Sequence, residues 1–504
     1  MGILHWDGQE VKPKILKRMA DTLIHRGPDE QGFFFNKKPE GNEISADAFW
    51  YQSSSYRYGK PVAAAGLAHR RLSIIDLPSG RQPLSNEDGM VWIVFNGEIY
   101  NFKELRAILT KCGHCFKTNS DTEVIIHAYE EWGTNCLHQL NGMFAFAIWD
   151  QRQELLFLGR DRIGKKPLYY HASDGKFLFG SELKALLAYP GVETQIDLTA
   201  VADYFKYLYI PDPKSIFAGI NKLSPAHFLV ATKRSVVIKQ YWDVHFEGTS
   251  HINESVLADQ LFDLLGQAVR DRMVADVPLG AFLSGGIDSS GVVALMSRQS
   301  EQPIVTCSIG FDDPEHDESR YAAQVAHYLG TSHHEFFVRE NFLDTVRRIP
   351  FMFDEPFADA SALPTYYVCK MARQRVTVAL SGDGGDETFA GYDKYLKDAI
   401  EQLVSRFVPI PFLYLINKAC IGRSNLQRKG RTLTSQALRD PDRAFYETNT
   451  IITDRELDNL FQPEIRNQIK GYDPSQFTRQ FFNSINTDDR LTRILYTDLK
   501  TSLP

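Results

Sequence analysis

The sequence predicts an α/β protein of two domains, the first with two β layers flanked by helices and the second with a doubly wound parallel sheet. Three observations favour this class. The chain has 504 residues, which is too long for one ordinary core. Apolar or β-branched runs bounded by Gly, Asn and Asp dominate the first domain, residues 1–190. Strands and helices alternate from residue 279 onward, which is typical of a parallel sheet with ligands at the carboxyl ends of its strands.

The first domain opens with a short strand at 3–6 and a helix that Pro13 starts, since proline suits the first helical turn. Ser120 or Asp121 can cap a later helix, because their side chains accept hydrogen bonds from its free N–H groups. The expected helices are 102–111 and 121–132, and the expected strands are 63–69, 72–76, 90–96, 143–149, 155–159 and 177–180. Two β layers between helices, a four-layer αββα arrangement, fit this order.

Residues 191–253 are expected to connect the domains, since prolines are dense there and two hairpin strands, 227–231 and 236–241, lie within them. The second domain, residues 254–504, begins with a helix at 257–273. Strands at 304–309, 333–338 and 376–380 and a helix at 318–329 then follow. This alternation indicates the parallel sheet.

Residues 284–290 form the turn around which the second domain is organised. The apolar run 277–283 leads into Ser284-Gly285-Gly286-Ile287-Asp288-Ser289-Ser290, and residues 292–296 continue at helical density. Glycines let backbone N–H groups close around an anion, and the following helix directs its positive end at the same point. The stretch therefore predicts phosphate binding. It is neither a Walker loop nor a dinucleotide fingerprint, and an ordinary Gly/Ser turn is the structural alternative.

Composition excludes several classes of function. Hydrophobic residues make up 43% and charged residues 24% of the chain, which are globular values. A net charge of −7 argues against a nucleic-acid partner held by bulk charge. The sequence shows no apolar run of membrane-spanning length and no targeting segment, so we expect no membrane partner and a cytoplasmic location.

Six scattered cysteines suggest free thiols rather than a disulfide scaffold. Cys112-Gly-His-Cys115 could be half of a zinc site or a redox pair, with His114, Cys136 and His138 as further ligands in principle. A closed zinc site needs four ligands, and the sequence has no second C-x-x-C. Ordinary thiols are favoured, and no metal is assigned to them.

Five polar clusters stand in the first domain where strand ends alone would not require them. They are residues 25–29 (His-Arg-Gly-Pro-Asp), 70–74, 95–101, 119–123 and 159–169. The order and the residues of these clusters closely resemble those of the glutaminase domain of the class II amidotransferases, which has an Ntn-hydrolase-like fold. The resemblance covers about the first 190 residues and is specific, because five motifs are in register.

The resemblance implies a glutamine site. Arg71 and Asp121 would hold the α-carboxylate and α-amino group, with Glu98 helping, because a guanidinium and a carboxylate suit the two ends of a zwitterion. Asn96 and Gly97 would form the oxyanion hole, one through its side-chain amide and one through its backbone N–H. The structural alternatives are a surface ion pair for Arg71, a helix cap for Asp121 and a type I′ hairpin turn for Asn96-Gly97.

The opening of the chain departs from that family. Its members start with a cysteine nucleophile, which here would lie four residues upstream of Gly2, and none of the six cysteines is near enough in sequence to replace it. A clipped terminus is the favoured explanation, and a protein that uses free ammonia is the other. The sequence as it stands is therefore expected not to hydrolyse glutamine.

A second Gly-rich turn, Ser381-Gly382-Asp383-Gly384-Gly385-Asp386-Glu387, follows the strand at 376–380. Without a function, this turn would be a solvated acidic loop. With the turn at 284–290 and Asp354-Glu355-Pro356-Phe357-Ala358-Asp359, it resembles the glutamine-hydrolysing asparagine synthetases, which carry an ATP pyrophosphatase domain (adenine nucleotide alpha hydrolase-like). Residues 389–392 and 498–501 extend the resemblance.

This second resemblance implies ATP and Mg²⁺ as substrate and cofactor, and a β-aspartyl-AMP intermediate that ammonia converts to asparagine. Adenine and ribose would lie against Leu283 and Ile309. Asp383, Asp386 and Glu387 would be catalytic, orienting the acyl group or taking the ammonium proton. The remaining ATP-binding residues would be Ser284, Gly285, Gly286, Asp288, Ser289, Ser290, Ser381 and Gly382.

The chain is expected to be incomplete at its end as well, because family members continue past residues 501–504 into a lysine-containing segment. Two alternatives stay open: a related amidotransferase or β-lactam synthetase-like enzyme that acts on another carboxylic acid, and a non-catalytic pseudoenzyme. The expected partners are glutamine, aspartate and ATP, and a homodimer is left open.

Overall fold

The computed structural model describes residues 1–37, 49–52, 63–173, 175–246, 253–311, 317–338, 342–419, 434, 438, 441–448 and 450–503. The chain divides into two units. Unit 1 comprises Met1–Gln195, Asp212–Glu355 and Ala360–Gly382, and unit 2 comprises Ile196–Pro211, Pro356–Asp359 and Asp383–Pro504.

The described strands form three sheets. They are β1 (Gly2–His5), β2 (Glu30–Phe35), β3 (Phe49–Gln52), β4 (Ala64–Arg71), β5 (Leu84–Ser85), β6 (Val91–Ile99), β7 (Gly142–Asp150), β8 (Leu155–Arg160), β9 (Tyr169–Ser173), β10 (Lys176–Gly180), β11 (Ile220–Lys222), β12 (His227–Ala231), β13 (Val236–Gln240), β14 (Leu279–Phe282), β15 (Val305–Gly310), β16 (Ser332–Phe337) and β17 (Val378–Leu380).

The helices of the described residues are α1 (Pro13–Asp21), α2 (Phe102–Lys111), α3 (Asp121–Trp132), α4 (Cys136–Gln139), α5 (Leu183–Leu187), α6 (Leu198–Tyr207), α7 (Glu254–Arg272), α8 (Ile287–Gln299), α9 (Ser319–Leu329), α10 (Phe342–Val346), α11 (Ile349–Phe353), α12 (Ala362–Ala372), α13 (Gly385–Phe389), α14 (Asp393–Phe407) and α15 (Ile410–Ala419), followed by Pro441–Thr448, Asp454–Leu460, Pro463–Gln468, Ser475–Ser484 and Arg490–Thr501.

Two sheets of unit 1 pack face to face. The first has the strand order β11-β9-β10-β1-β4-β2-β3, in which only β2 and β3 run parallel, and the second has the antiparallel order β13-β12-β8-β7-β6-β5. Leu67 and Phe177 of the first sheet share a buried core with Val94 and Leu158 of the second.

Helices cover the outer faces of these two sheets. Leu105 of α2 and Ile125 of α3 pack with Phe95 and Phe146 on one outer face, and α1 and α5 pack on β4 and β10 of the other sheet. The four-layer αββα expectation is thereby confirmed. The strands β11, β12 and β13, which lie between the two predicted domains, extend these sheets.

The third sheet, also in unit 1, is parallel and has the order β16-β15-β14-β17. The order reverses at β14, so the chain winds outward in both directions from the pair β14 and β17. Ala281 of β14 packs with Val269 of α7, Val293 of α8 and Ala322 of α9. The parallel, doubly wound sheet is confirmed, and ligands in such sheets bind beyond the strand ends at the reversal.

Unit 2 is helical, and α6 is tied to the helices near the end of the chain. The ammonium of Lys206, 1% exposed, lies 2.6 Å from Oδ1 of Asp454 and donates to the carbonyl of Ile452 at 2.8 Å. The hydroxyl of Tyr472 donates to Asp203 at 2.6 Å.

The described residues include five of the six cysteines. Cys112, Cys115, Cys136, Cys307 and Cys369 are free, as expected, while Cys420 lies outside the described residues. Among the residues that the structure describes, no single helix has the length and apolar content to cross a membrane. One pair, Gly385–Phe407 with Ile410–Ala419, passes that test only when it is joined across a 120° bend.

Candidate functional site

A cavity of about 450 Å³ in unit 1 is lined by several of the polar clusters that the sequence singles out. Arg71, Asn96, Gly97, Glu98 and Asp121, the five predicted glutamine-binding residues, all line it. They come from the ends of β4 and β6 and from the start of α3. The fold therefore brings together residues that lie up to 50 positions apart in the sequence.

Arg71 is held in this cavity by a loop. Its Nη1 donates to Glu30 at 2.9 Å and to the carbonyl of Leu77 at 3.1 Å, and its Nη2 donates to the carbonyls of Ile75 at 3.1 Å and Asp76 at 2.8 Å. The residue is 4% exposed, so the alternative of a surface ion pair is wrong. The predicted strand at 72–76 is also wrong, because this segment turns its carbonyl groups toward the guanidinium.

Asn96 and Gly97 lie inside β6 and not in a turn. They pair with Ala145 and Phe144 of β7, so the hairpin alternative is wrong. Gly97 has φ +150°, and a Cβ there would lie 2.0 Å from the carbonyl oxygen of Met143. The close approach of β7 therefore requires glycine at this position.

Glu98 and Asp121 form a buried pair of carboxyl groups. Oδ2 of Asp121 accepts the backbone N–H of Ile99 at 3.0 Å, and Oε1 of Glu98 has no hydrogen-bond partner among the described residues. Burial and then the charge of Asp121 raise the pKa of Glu98 to about 7, and burial raises the pKa of Asp121 to about 6. A cation bound here would favour the ionised forms of both groups.

The cap of α3 is Ser120, whose hydroxyl accepts the N–H of Thr122 at 3.2 Å. Of the two caps that the sequence allows, the structure uses the serine. Asp121 is the first helical residue, and its carboxyl group reaches β6 instead.

Lys166 is a cavity residue to which the sequence analysis gave no role. It lies in the cluster at 159–169, where the carboxylate of Asp161 accepts backbone N–H groups from Lys166 at 3.1 Å and Lys165 at 3.0 Å. Burial, and then Arg26, lower the pKa of Lys166, while Glu98 raises it. The cluster had been noted, but it does not show which of its two lysines faces the cavity.

The His-Arg-Gly-Pro-Asp cluster packs against β4. A Cβ on Gly27 would lie 2.3 Å from the carbonyl of Arg70, and Oδ2 of Asp29 accepts the N–H of Ser73 at 2.8 Å. Arg26 lies 3.1 Å from Glu182. This cluster therefore fixes the strand that carries Arg71.

The turn at 284–290 joins β14 to α8, as predicted. The hydroxyls of Ser284 and Ser289 lie 2.9 Å apart, and the N–H of Gly286 donates to the Ser284 hydroxyl at 3.2 Å. No described side chain caps the start of α8. Backbone donors at this helix end are therefore available to an anion, whose charge the helix dipole favours.

Gly285 is required by the packing of this turn. Its φ is +86°, and a Cβ would lie 2.6 Å from backbone atoms of Tyr321 and Ala322. The hydroxyl of Ser290, close by, has no hydrogen-bond partner among the described residues. Asp288 is exposed on the same turn.

A second cavity of about 730 Å³ lies beside this turn, also in unit 1. Leu283, Ser284 and Ile309, three of the predicted ATP-binding residues, line it together with apolar residues of α12 such as Leu363 and Val368. The other predicted ATP-binding residues do not line it. Its apolar wall has the character of a pocket for an aromatic ring, and Ser284 belongs both to this lining and to the turn at 284–290.

The second Gly-rich turn begins directly beside the first. β17 pairs with β14, and a Cβ on Gly382 would lie 2.9 Å from Cβ of Asp288 and 2.9 Å from N of Ser289. Ser381 and Gly382 are thus at the strand end expected for them. Gly382, at the end of β17, is therefore in contact with the first turn, at the end of the neighbouring parallel strand.

Asp383, Asp386 and Glu387 belong to unit 2. Glu387 is 5% exposed and accepts the Tyr392 hydroxyl at 2.7 Å. A Cβ on Gly391 would lie 1.9 Å from Oδ1 of Asp386, so glycine there lets the turn close on that carboxylate.

Asp498 is a further buried carboxyl group of unit 2. It accepts Lys394 Nζ at 2.9 Å and the Tyr395 hydroxyl at 2.8 Å. Burial raises the pKa of Asp498, while Lys394 lowers it. The resemblance at 498–501 pointed to this segment without giving the aspartate a partner.

Asp354 and Glu355 make contacts in unit 1 that the sequence does not reveal. Oδ2 of Asp354 accepts the N–H of Lys184 at 2.8 Å, and Oε1 of Glu355 lies 2.6 Å from Nζ of Lys222. Burial raises the pKa of Glu355, and Lys222 lowers it. Asp354 and Glu355 therefore anchor to α5 and β11 of the same unit.

Known protein families match both the region of the first cavity and the region of the two Gly-rich turns. A family model described as a glutamine amidotransferase domain matches residues 59–242, and one described as asparagine synthase matches residues 260–504. Asparagine synthetase [glutamine-hydrolyzing] 1 of Bacillus subtilis is 31% identical over 97% of this chain and 72% of its own length.

A second sequence relative and a solved structure are also similar to this chain. Putative asparagine synthetase [glutamine-hydrolyzing] 2 of Methanocaldococcus jannaschii is 38% identical over 78% of this chain and 75% of its own length. A solved glutamine phosphoribosylpyrophosphate amidotransferase from B. subtilis has 17% identity and a TM-score of 0.32, covering 69% of this chain and 70% of that one. This structural similarity is too low to support an inference about the fold or function. The two sequence relatives are similar enough to show the family. The chain therefore belongs to the glutamine-hydrolysing asparagine synthetase family of ligases.

Proposed function

We propose that the protein makes asparagine from aspartate and ATP, with ammonia that the family's cysteine nucleophile, expected four residues upstream of Gly2, would release from glutamine. The observation that carries the proposal is the contact between the two Gly-rich turns at the ends of β14 and β17, beside a cavity that suits a nucleobase. Family membership supports it, because both family models and the named relatives point to the same reaction.

The glutamine half of the proposal assigns Arg71 to the α-carboxylate and the pair Glu98 and Asp121 to the α-ammonium. The unpartnered Oε1 of Glu98 supports this, since a buried carboxyl oxygen without a donor suits an incoming cation. Asn96 and Gly97 would stabilise the oxyanion from β6. Lys166 would add positive charge to the same cavity.

The ATP half assigns the adenine and ribose to Leu283 and Ile309 and the phosphates to the turn at 284–290. A side-chain carboxylate oxygen of aspartate attacks the α-phosphorus, the bond to pyrophosphate breaks, and β-aspartyl-AMP forms. Ammonia then attacks the β-carbonyl carbon and AMP leaves. The proposed phosphate-binding residues are Ser284, Gly285, Gly286, Asp288, Ser289, Ser290, Ser381 and Gly382.

Mg²⁺ fits the phosphate turn, because Asp288 supplies an exposed carboxylate there and Mg²⁺ prefers carboxylate and phosphate oxygens. Bound with the pyrophosphate, the ion would neutralise charge on the leaving group. Asp383, Asp386 and Glu387 are proposed to orient the acyl group or to take the ammonium proton. We place this chemistry in the cytoplasm, which the free cysteines support.

An ATP–pyrophosphate exchange assay tests the synthetase half alone, since it needs neither glutamine nor ammonia. We expect exchange that depends on aspartate and that falls at least about a hundredfold in Ser289→Ala combined with Asp288→Asn. Exchange that requires a different carboxylic acid would identify a related amidotransferase, and no exchange with any acid would identify a pseudoenzyme.

Glutamine binding by calorimetry tests the other half without requiring hydrolysis. We expect binding in the wild type and its loss in Arg71→Ala. Glu104→Gln, at an exposed position of α2 outside the cavity, serves as the control and should leave affinity unchanged. Equal affinities of wild type and Arg71→Ala would refute the proposed site.

A further inference from the structure

A cluster of two histidines and a glutamate lies outside both sites described above. The ligand atoms of Glu87, His114 and His127 all lie within 4.8 Å of one another. Glu87 lies between β5 and β6, His114 follows α2, and His127 is in α3. The cluster therefore joins three separate segments of the first domain.

The two imidazoles face each other and are arranged as metal ligands often are. Their ring centroids lie 4.9 Å apart. Nε2 of His114 lies 3.3 Å from Glu131, and Nε2 of His127 lies 3.7 Å from Glu123. Ligating histidines usually direct their second ring nitrogen to a carboxylate, which fixes the ring and its tautomer. That pattern leaves Nδ1 of each ring for an ion.

Nδ1 of His127 is bordered by two carboxylates. Oε2 of Glu130 lies 3.2 Å from it and Oε2 of Glu87 lies 3.8 Å from it. The other oxygen of Glu87 is already occupied, because Oε1 accepts the N–H of Cys115 at 2.9 Å. Glu87 is thus held in place with one oxygen turned toward His127.

The burial of the three residues allows an ion to enter. The side chain of His127 is 0% exposed, and its Nε2, 3.7 Å from Glu123, makes no hydrogen bond among the described residues. His114 is 15% exposed and Glu87 is 35% exposed, so an ion could reach the cluster from solvent. The thiols of Cys112 and Cys115, which the sequence suggested as ligands, are exposed and are not members of this group.

We propose that Glu87, His114 and His127 bind one divalent transition metal ion, with Glu130 as the nearest fourth ligand. Two imidazoles and a carboxylate are a common donor set for Zn²⁺. Ligands about 2.0–2.2 Å from an ion lie at most about 4.4 Å apart, so small side-chain movements close the site. The ion would tie the segment between α2 and α3 to the turn before β6.

Equilibrium dialysis of the chelator-treated full chain against Zn²⁺, followed by metal analysis, tests this site. We expect one Zn²⁺ per chain and a higher melting temperature with the ion, because the site exists only in the folded state. His114→Ala and Glu87→Gln, both partly exposed and so tolerable to the fold, should each weaken binding at least about tenfold.

Two controls separate this site from others on the surface. His138→Ala changes a histidine outside the cluster and should leave Zn²⁺ binding unchanged. The double variant Cys112→Ser with Cys115→Ser should also bind, and Co²⁺ bound to the wild type should lack thiolate charge-transfer absorption. The proposal is overturned if no stoichiometric ion binds, if His114→Ala and Glu87→Gln bind like the wild type, or if the serine variant loses the ion.

Discussion

Gly97 illustrates how a single missing side chain shapes the cavity proposed for glutamine. We predict that Gly97→Ala lowers the free energy of unfolding by more than the roughly 1–3 kcal/mol of a strained backbone alone. The added reason is that its Cβ would lie 2.0 Å from the Met143 carbonyl. Gly89→Ala is the matched control, since its φ is also positive, at +72°, and its Cβ would meet nothing within 4 Å. Urea titration measures both, and equal losses would contradict the steric argument.

Glu98 is expected to make stability depend on pH. Its pKa is about 7 in the folded protein against an ordinary 4.5, so its ionisation opposes folding. The free energy of unfolding of the wild type therefore falls as pH rises from about 4.5 to 7, and this loss stays constant above pH 7. We predict that Glu98→Gln becomes more stable than the wild type across this pH window. The difference in the free energy of unfolding should reach a few kcal/mol, because each pKa unit corresponds to about 1.4 kcal/mol. Urea titrations at several pH values would show parallel curves if the prediction is wrong.

The chemical identity of these side chains was predictable, and their surroundings were not. Motif order singled out Arg71 and Asp121. Glu30, which pairs with Arg71 from 41 positions away, was not singled out, because only the pairing of β2 with β4 brings the two together. Lys166 was missed for the same reason: its backbone is held by contacts that depend on the folded loop.

At the scale of elements, helices with clear apolar periodicity were predicted well. The bounds of α2 and α3 match the expected 102–111 and 121–132. The segment 72–76 is a largely apolar, β-branched run, but it folds as a loop because the carbonyls of Ile75 and Asp76 accept hydrogen bonds from Arg71. The strands Glu30–Phe35 and Tyr169–Ser173 were not predicted, because their polar and aromatic residues lack a clear period.

The contact between the two Gly-rich turns yields a prediction at this scale. Gly382→Ala should lower ATP–pyrophosphate exchange at least about tenfold, because its Cβ would lie 2.9 Å from Asp288 and Ser289 and push the phosphate turn away. Glutamine binding should not change. Gly291→Ala in α8 is the control, since its Cβ meets nothing within 4 Å and alanine favours a helix interior. Unaltered exchange in Gly382→Ala would show that the turns act separately.

At the scale of the whole molecule, unit 1 contains a direct link between the two sites. The N–H of Asp76, in the loop around Arg71, donates to Asp276 at 2.8 Å, and the N–H of Asp276 donates to the carbonyl of Ile74 at 2.9 Å. Asp276 lies three residues before β14, which leads into the phosphate turn. Two hydrogen bonds therefore join the segments that carry the two proposed sites.

This link should couple the two ligands. We predict that a non-hydrolysable ATP analogue changes glutamine affinity in the wild type and that Asp276→Ala reduces this change. Calorimetric titration of glutamine with and without the analogue measures the coupling. Asp263→Ala, an exposed acidic position on α7, is the control. Equal coupling in wild type and Asp276→Ala would show that this bond does not carry it.

Arg71 has a consequence for selectivity. All four of its terminal N–H groups already have acceptors, so an entering α-carboxylate exchanges with them rather than filling empty space. Exchange of one hydrogen bond for another gains only about 0.5–1.5 kcal/mol. The carboxyl pair behind it, with one oxygen of Glu98 unpartnered, has more to gain from its ligand. Discrimination among amides should therefore rest on the amino end of the substrate, while Arg71 stays necessary for affinity because it also holds the carbonyls of residues 75–77 in place.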